Sequence, residues 1–586
     1  MKQFLKFTLA AAFGIVLSFG LLIGLIAIIA SGNETNEVKL SKPHILKLKL
    51  EGTLQDRVAE NPFDVYGDLL GGTPSNIGLN ALLANIKKAE NDENISGIHL
   101  ETGMLNAGFA SLDELRDALL KFKESGKFIT AYSEIYNQKS YYLASVANTI
   151  CVYPEGAIEL KGLNSTVAFY TDALKKIGVE PQVIRHGKFK AAVEPFLLTE
   201  MSPENREQVE TFMYSIWAQY LANISEIRNV SIERLNTMID DFEVKTPKDA
   251  LDLGLVDKLC YKDELNSYLT ELMNETDFKN LNFISNKKYK LVQNENARKK
   301  YKKDKIAVIF AQGEIQSGKG KETVIGSECI SKAIRKARLD EKVKAIVLRV
   351  NSPGGSALAS DVIWREMSLA KKAKPVVVSM GDVAASGGYY IACDADKIYA
   401  SPTTITGSIG VFGILMNLEE LYTDKLGLTF DQVKTNKFAD LGSTTRPLTN
   451  EEYTIIQESV VEVYNTFTSK VAKGRNTTQA KVDSIGQGRI WSGVNAKEIN
   501  LIDEFGGLEK AIEGAALLAN LEDYRVLELP ELKEPFELLM EELENGFEAT
   551  VLKRTLGEEY KHYKALNNLK HLKGIQARMP YQFTIE

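Results

Sequence analysis

Two glycine-rich segments contain the residues best suited to chemistry. The first, LRVNSPGGSALAS from Leu348, follows an apolar run, and Gly354 and Gly355 permit backbone angles that aim free N–H groups at one point. The segment lacks the lysine that a phosphate-binding loop places after its glycines. The pattern therefore favours an oxyanion hole, with a plain structural turn as the alternative.

The second segment, VVVSMGDVAASGGYYIACDAD from Val376, places Ser386 between a strand-like run and a helical pattern. Small neighbours leave its hydroxyl reachable, and a helix N-terminus favours negative charge nearby. Ser386 is therefore a candidate nucleophile. Taken alone, the ASGG pattern is weak evidence, because a serine that caps the helix explains it as well.

A serine nucleophile needs a base, and the choice of base is restricted. The chain has five histidines, all distant in sequence from both segments: His44, His99, His186, His562 and His571. A Ser-His-Asp triad is therefore poorly supported. A lysine is the remaining candidate, provided that burial in a closed apolar site lowers its pKa.

The elements that must position these residues follow an alternating pattern. The apolar runs KAIVLRV, KPVVVSM and KIAVIF alternate with helical patterns such as SALASDVIWREMSLAKKA. Runs this continuous are typical of parallel strands covered on both faces, so we expect an α/β fold. Two long helices are also predicted, from Ser202 and from Thr449, each with a proline at or just before its start.

The chain contains an internal duplication. The segment from Ser140, SYYLASVANTICVYPEGAIELKG, matches GYYIACDADKIYASPTTITGSIG from Gly388 at an offset of 248 residues, and other pairs of segments repeat in the same order. We expect one fold present twice. The predicted regions are a cytoplasmic stub and anchor (1–40), a first repeat (41–263), a basic linker (264–304), a second repeat (305–530) and a helical C-terminal tail (531–586).

The start of the chain departs from an otherwise ordinary composition. Residues 8–30 contain no charged side chain, and as a helix they reach about 35 Å, enough to cross a hydrocarbon core of about 30 Å. Lys2 and Lys6 precede this span, so the positive-inside bias places the rest of the chain outside the cytoplasm. We expect an uncleaved transmembrane signal anchor.

Composition limits the possible partners. The net charge of −7, from 78 acidic and 71 basic residues, makes nucleic acid an unexpected partner. The cysteines are scattered and lack the spacing of metal ligands, so we interpret them as packing residues: Cys151, Cys260, Cys329 and Cys393. The sequence predicts no metal and no cofactor.

Several motifs in one order resemble the signal peptide peptidase A family, also called protease IV, in its long duplicated form. They are NSPGGS, AASGGYYIA, TGSIGVFG, GKFKAAVEPF and GRIWSG, and the resemblance covers nearly the whole chain. It implies tandem ClpP/crotonase-like domains after one transmembrane helix, and a Ser-Lys dyad that cuts hydrophobic peptides. In the family's pattern Ser386 is the nucleophile, Lys190 is the general base and Ser408 orients the lysine. From the glycine-rich segment itself, we expect the Gly354 and Gly355 backbone to supply the oxyanion hole.

The duplication tests this assignment against the sequence itself. Gln138 occupies the first-repeat position that matches Ser386, and Ala439 stands where the second repeat would have its lysine. Each repeat therefore retains one member of the pair, as expected if the two repeats build one site together. Glu194, four residues after Lys190, would raise the lysine pKa if it were close; we expect it to point away or to pair with a basic residue.

The sequence therefore predicts a membrane-anchored serine endopeptidase that degrades cleaved signal peptides and other hydrophobic or unfolded peptides. The anchor and the resemblance place it in a bacterial inner membrane, with its repeats on the periplasmic side. The family suggests a homotetramer. Two alternatives stay open, a non-catalytic ClpP-like scaffold and an acyl-CoA enzyme of the crotonase type.

Overall fold

The computed structural model describes residues 39–59, 76–292, 303–321, 323–532 and 574–579, with the isolated positions 6, 7, 13, 14, 17 and 563. Within these residues, no helix has the length and apolar character needed to cross a bilayer. The predicted anchor, residues 8–30, lies almost entirely outside the described part of the chain.

The first repeat is built on a parallel sheet. Its strands, with the neighbouring β6, are β1 (His44–Gln55), β2 (Asn76–Gly78), β3 (Ile95–Asn106), β4 (Phe128–Tyr136), β5 (Thr149–Ile158), β6 (Glu180–Arg185), β7 (Lys258–Leu259) and β8 (Phe283–Ser285). The order is β2-β1-β3-β4-β5-β7, and β8 also pairs with β1. All these pairings are parallel, as predicted for strands covered on both faces.

The second repeat contains a corresponding sheet. Its strands are β9 (Lys305–Gln312), β10 (Glu314–Gln316), β11 (Gly320–Lys321), β12 (Val324–Gly326), β13 (Val343–Ser352), β14 (Gly354–Ser356), β15 (Val376–Ala385), β16 (Lys397–Ala400), β17 (Ile405–Gly407), β18 (Phe412–Asn417), β19 (Ile490–Ser492), β20 (Glu504–Phe505), β21 (Arg525–Leu529) and β22 (Gln576–Arg578). The main path is β19-β17-β15-β13-β9-β21. The α/β class and the duplication are confirmed.

A further sheet, in the order β11-β12-β10-β14-β22-β18-β6, joins distant parts of the chain. Strand β6 belongs to the first repeat, yet it pairs antiparallel with β18 of the second along six consecutive residue pairs, from Arg185 opposite Phe412 to Glu180 opposite Asn417. The two repeats therefore share one sheet beside the segment that contains Lys190.

The helices flank the sheets. Those of the first repeat are α1 (Leu79–Glu90), α2 (Phe109–Glu124), α3 (Gln138–Ala144), α4 (Thr171–Lys176), α5 (Pro203–Arg228), α6 (Ile232–Asp240), α7 (Pro247–Asp252), α8 (Lys262–Leu272) and α9 (Asn286–Lys290). Those of the second are α10 (Ser327–Leu339), α11 (Ala357–Lys371), α12 (Gly387–Ala392), α13 (Asn450–Gly474), α14 (Gln479–Ile485), α15 (Gly493–Glu498) and α16 (Leu508–Leu518).

Both predicted long helices are present, and their starts have a physical cause. The Ser202 side chain accepts a hydrogen bond from the Asn205 N–H at the start of α5, with Pro203 in the first turn. At α13, Thr449 and Glu452 form a reciprocal capping box. These caps satisfy backbone donors that the first helical turn leaves without partners.

A buried ion-pair cluster also links the repeats. The Arg349 guanidinium of β13 lies 2.8 Å from Asp56 and 2.6 Å from Glu114, both in the first repeat. All three side chains are buried. Asp382 of β15 accepts hydrogen bonds from the backbone and hydroxyl of Ser111 at 2.8 and 2.7 Å. Removing one member would leave a buried charge without compensation, so these contacts fix how the repeats dock.

The boundaries differ from the sequence prediction in two places. Part of the predicted linker, 264–304, belongs to the first repeat, because most of α8 lies there and β8 extends the sheet beside β1. In the predicted helical tail, 531–586, residues Gln576–Arg578 form the strand β22 because β14 and β18 offer it backbone partners on both sides. The amphipathic stretch that follows Glu531 lies largely outside the described residues.

Candidate active site

Ser386 lies at the turn between β15 and α12. Its backbone is strained, with φ 54° and ψ −112°, a region that side-chain-bearing residues rarely adopt. Its N–H donates to the Gly407 carbonyl at 2.8 Å, which holds the turn in place. The side chain makes no capping hydrogen bond to the helix. A helix cap therefore does not explain this serine, whose hydroxyl points elsewhere.

Lys190 meets that hydroxyl from the first repeat. Its Nζ lies 2.9 Å from Ser386 Oγ, 3.1 Å from Ser408 Oγ and 3.3 Å from the Ser408 carbonyl oxygen. All three residues are fully buried. Burial lowers the pKa of Lys190 well below its ordinary value of 10.5. The site therefore favours the neutral amine, the form that accepts a proton.

Glu194 does not oppose this effect. Its carboxylate accepts hydrogen bonds from Ser202 Oγ at 2.5 Å and from Asn205 Nδ2 at 2.9 Å, and it lies 3.8 Å from the Arg185 guanidinium. The expectation that it pairs with a basic residue is thus met by Arg185. The carboxylate is used to fix the start of α5 against the short 3₁₀ helix Ala191–Phe196 that follows the lysine.

A series of hydrogen-bonded amide side chains connects the Glu194 carboxylate to the second repeat. Gln208 Nε2 donates to the Asn205 side chain at 3.0 Å and to the Phe189 carbonyl at 3.2 Å. Gln208 Oε1 accepts from the Ile490 N–H of β19 at 3.1 Å. Since Gln208 is fully buried, these bonds hold the residue before Lys190 against β19.

Two glycines give the lysine side chain room to pass. A Cβ on Gly488, where φ is 86°, would lie 2.7 Å from the Lys190 backbone and Cβ. A Cβ on Gly410 would lie 3.2 Å from Lys190 Cδ and 2.7 Å from Gly488 Cα. Any side chain at either position would displace the lysine. Both glycines lie within sequence motifs, GRIWSG and TGSIGVFG, but this role is not predictable from the motifs because it depends on contacts between distant segments.

The glycine segment predicted as an oxyanion hole lies beside Ser386. Gly354 and Gly355 form β14, with φ values of 96° and 157°. The Gly354 N–H donates to Ser352 Oγ at 3.1 Å, so that amide already has an internal partner. A Cβ on Gly354 would lie 2.7 Å from the Gly387 nitrogen, so these two backbones approach within contact distance. The Gly387 amide nitrogen therefore lies beside this glycine segment.

The matching positions of the first repeat do not form a second site. Gln138 stands at the start of α3, where its side chain bonds the backbone of residues 161 and 162. Ala439 is exposed to solvent, and its methyl side chain cannot act as a base. Among the residues that the structure describes, the two repeats therefore assemble one serine–lysine contact of this kind, with one partner from each repeat. Within the described residues, no group of histidine, cysteine or acidic side chains has the arrangement of a metal site.

The contact can generate a nucleophile: a buried neutral amine next to a strained serine hydroxyl can remove its proton, and glycine amides nearby can stabilise an oxyanion. The model of peptidase family S49 matches residues 121–276 and 368–522, and a Clp protease model matches residues 297–406.

Curated relatives match at high coverage. A chloroplastic serine protease named SPPA from Arabidopsis thaliana is 34% identical over 92% of this chain and 78% of its own length. Proteins named Protease 4 are 37% identical in Salmonella typhi, over 84% of this chain and 81% of the relative, and 35% identical in Haemophilus influenzae, over 86% and 84%.

Proposed function

The chain belongs to peptidase family S49 and is a serine protease, and we propose that Ser386 and Lys190 form its catalytic dyad. The observation that carries this proposal is the 2.9 Å contact between Lys190 Nζ and Ser386 Oγ in a site where burial lowers the lysine pKa. Membership of a protease family argues against the two alternatives, an inert scaffold and an acyl-CoA enzyme.

In the proposed mechanism, neutral Lys190 takes the Ser386 hydroxyl proton as its oxygen attacks the scissile carbonyl. Ser408 lies 3.1 Å from the amine and orients it. The protonated lysine then gives its proton to the leaving amine, and an activated water hydrolyses the acyl-enzyme. Lys190 is the general base in both half-reactions.

The oxyanion of each tetrahedral intermediate is stabilised by glycine amides. Gly355 and Gly387 supply the N–H groups, and Gly354 shapes the hole while its own amide bonds Ser352. A well-aimed donor of this kind contributes about 3 to 4 kcal/mol to transition-state stabilisation. Compared with the sequence prediction, Gly355 remains a donor, and Gly387, the residue after Ser386, replaces Gly354 as the second donor.

We also propose the setting in which this chemistry takes place. Residues 8–30 anchor the chain in a bacterial inner membrane, and the lysines before them keep the N-terminus in the cytoplasm. The two repeats then act on the periplasmic side, where cleaved signal peptides and other hydrophobic peptides accumulate. A homotetramer would enclose the site and exclude folded proteins.

Active-site labelling tests the dyad. The full chain in detergent is treated with a fluorophosphonate probe, which reacts with an activated serine. We expect labelling of the wild type, none of Ser386→Ala, and labelling at least about 100-fold slower in Lys190→Ala. Gln138→Ala is the matched control, because it alters the equivalent position of the other repeat. Persistent labelling of Ser386→Ala, or an unchanged rate in Lys190→Ala, would contradict the dyad.

Protease accessibility tests the orientation. In spheroplasts of a bacterial host, added trypsin should digest the repeats without lysis. A repeat region digested only after the cells are lysed would contradict the proposed periplasmic location.

A further inference from the structure

The loop between α14 and β19, residues 486–489, packs against the segment that contains Lys190. The Phe189 N–H donates to the Gln487 carbonyl at 3.0 Å. A Cβ on Gly187, where φ is 94°, would lie 2.5 Å from the same carbonyl oxygen. The loop is therefore in backbone contact with two of the three residues that precede the lysine.

The same loop also contacts the segment that contains Ser408. The Ser408 N–H donates to the Arg489 carbonyl at 2.7 Å, and the Gly488 N–H donates to the Ile409 carbonyl at 2.8 Å. Three consecutive residues, 487–489, therefore bond first the lysine segment and then the Ser408 segment. The position of this loop sets the spacing between the two segments.

Gln487 holds an unfavourable backbone conformation in this loop. Its φ is 52°, in the left-handed region that residues with a side chain rarely adopt. Such a conformation persists only where neighbouring contacts hold it. The Gln487 N–H donates to the Tyr464 hydroxyl of α13 at 3.2 Å. The tyrosine therefore holds the loop at the residue that bonds the lysine segment.

Tyr464 is itself fixed in place. It is 2% exposed, and its hydroxyl donates to Asp483 Oδ1 at 2.6 Å. Burial, together with this carboxylate, raises the pKa of Tyr464, so the hydroxyl keeps its proton and its oxygen remains free to accept from the loop. The tyrosine ring lies against the imidazole of His186, with 4.2 Å between the ring centroids. Since His186 belongs to the first repeat, Tyr464 contacts both repeats beside the lysine segment.

We propose that Tyr464 is a positioning residue for the general base. This inference rests on the proposed dyad. The Tyr464 hydroxyl holds Gln487 in its left-handed conformation, and the loop then keeps the Lys190 amine beside the two serines. Tyr464 acts through the loop rather than on the reacting atoms.

Tyr464→Phe isolates this role. The substitution removes the hydroxyl but keeps the ring that lies against His186. Gln487 then loses the bond that holds its φ, and the loop can move relative to the lysine segment. Because a misplacement of about 1 Å at the reacting groups costs about 100-fold, a smaller movement should lower kcat about tenfold.

Turnover of a fluorogenic hydrophobic peptide by the full chain in detergent tests the proposal, with fluorophosphonate labelling as a second readout. We expect Tyr464→Phe to lower kcat and the labelling rate about tenfold and to leave KM unchanged. Tyr289→Phe is the matched control, because Tyr289 is also buried and donates to a carboxylate, Asp92 Oδ2, at 2.9 Å in the first repeat. It should lower the melting temperature by a similar amount without changing kcat. An equal loss of kcat in both variants would assign the effect to stability and overturn the inference.

A double-mutant cycle shows whether Tyr464 acts through the lysine. In a chain that already has Lys190→Ala, adding Tyr464→Phe should not lower the residual labelling rate further. A further tenfold loss in that chain would show that Tyr464 acts independently of the amine, which would overturn the inference.

A substitution at Gln487 tests the connection through the loop. Asparagine tolerates a positive φ better than glutamine does, so an asparagine at this position needs less support from the tyrosine hydroxyl. In a Gln487→Asn chain, Tyr464→Phe should therefore lower kcat by only about twofold. A tenfold loss in that chain would contradict a role through the left-handed residue.

The outcomes separate this inference from the dyad. A Tyr464→Phe chain that turns over and labels like the wild type, while Lys190→Ala labels at least about 100-fold more slowly, would overturn the positioning role and leave the dyad intact. A Lys190→Ala chain that labels at the wild-type rate would overturn both.

Discussion

The same turn contains different chemistry in the two repeats. In the second, Ser386 Oγ accepts a hydrogen bond from Lys190 Nζ at 2.9 Å and donates one to the Gly410 carbonyl at 3.3 Å. In the first, Gln138 donates to the matching carbonyl, that of Gly162, at 3.1 Å. Its Oε1 also accepts from the amides of residues 161 and 162. The longer side chain closes the space in which a lysine and a substrate would meet.

This difference shows that the fold alone does not make a site. Both repeats supply a strand, a turn and a short helix, but only the second has glycines at the oxyanion segment. Asn106 and Ala107 occupy the corresponding positions of the first repeat. The first repeat instead provides Lys190, so each repeat contributes one partner of the proposed dyad.

Lys190→Met should have the largest effect, because it removes the proposed base, which the first repeat supplies. We expect hydrolysis of a peptide substrate to fall by about 10⁴-fold. Because burial lowers the pKa of Lys190, the unfolded chain binds a proton on this amine more readily than the folded chain does. Protonation therefore destabilises the folded state.

This destabilisation of the folded state is absent well above pH 10.5. It grows as the pH falls towards the pKa of Lys190 in the folded protein. Lys190→Met should therefore raise the melting temperature more at pH 7 than at pH 11, in paired thermal scans with the wild type. Equal shifts at both pH values would contradict a depressed lysine pKa.

Gly488→Ala should have the next largest effect. The added Cβ would lie 2.7 Å from the Lys190 backbone, at a φ of 86°. A displacement of about 1 Å at the reacting groups lowers the rate about 100-fold, seen in kcat rather than KM. Gly254→Ala is a useful control, because that glycine also has a positive φ but has open space around it. Equal losses in the two variants would argue for general strain instead.

Ser408→Ala should act more mildly. Its hydroxyl lies 3.1 Å from the amine, and losing one such bond costs about tenfold in kcat. Because the hydroxyl oxygen also stabilises the protonated amine, its removal should lower the lysine pKa further. The acidic limb of the pH–rate profile should therefore move to lower pH. A limb that stays in place with a reduced plateau would limit Ser408 to orientation.

Gln138→Ser should change activity least. It restores a serine to the first repeat without a lysine, since exposed Ala439 stands in place of one. Combined with Ser386→Ala, it should show no fluorophosphonate labelling. The lost hydrogen bonds should lower the free energy of unfolding by about 1 to 3 kcal/mol, measured by urea titration. Labelling of the double variant would show that the first repeat retains catalytic capacity.

Much of this architecture is predictable from the sequence because it depends on local patterns. Continuous apolar runs predict β9, β13 and β15, and the repeat offset predicts the second copy of the fold. Both long helices begin where their caps predict. Small neighbours make Ser386 only a candidate nucleophile, and its assignment, like those of Lys190 and Ser408, comes from family resemblance, since no local pattern marks a lysine as buried.

The remaining features depend on contacts between distant segments. Nothing in the order of residues indicates that Gly488 passes beside Lys190 or that Gln208 reaches the backbone of Ile490. The pairing of β22 with β14 joins residues more than 200 positions apart, and the amphipathic pattern before it favours helix instead. Tertiary contacts, rather than local propensity, decide such placements.

The pairing of β6 with β18 has a consequence for the timing of synthesis. The ribosome completes the lysine segment long before Ser386, Ser408 and Gly488 exist. During that interval the amine of Lys190 lacks both the proposed nucleophile and the second repeat that buries it. With the proposed dyad incomplete, a chain that is still being synthesised cannot digest its neighbours. It gains that ability only when most of the second repeat has been made.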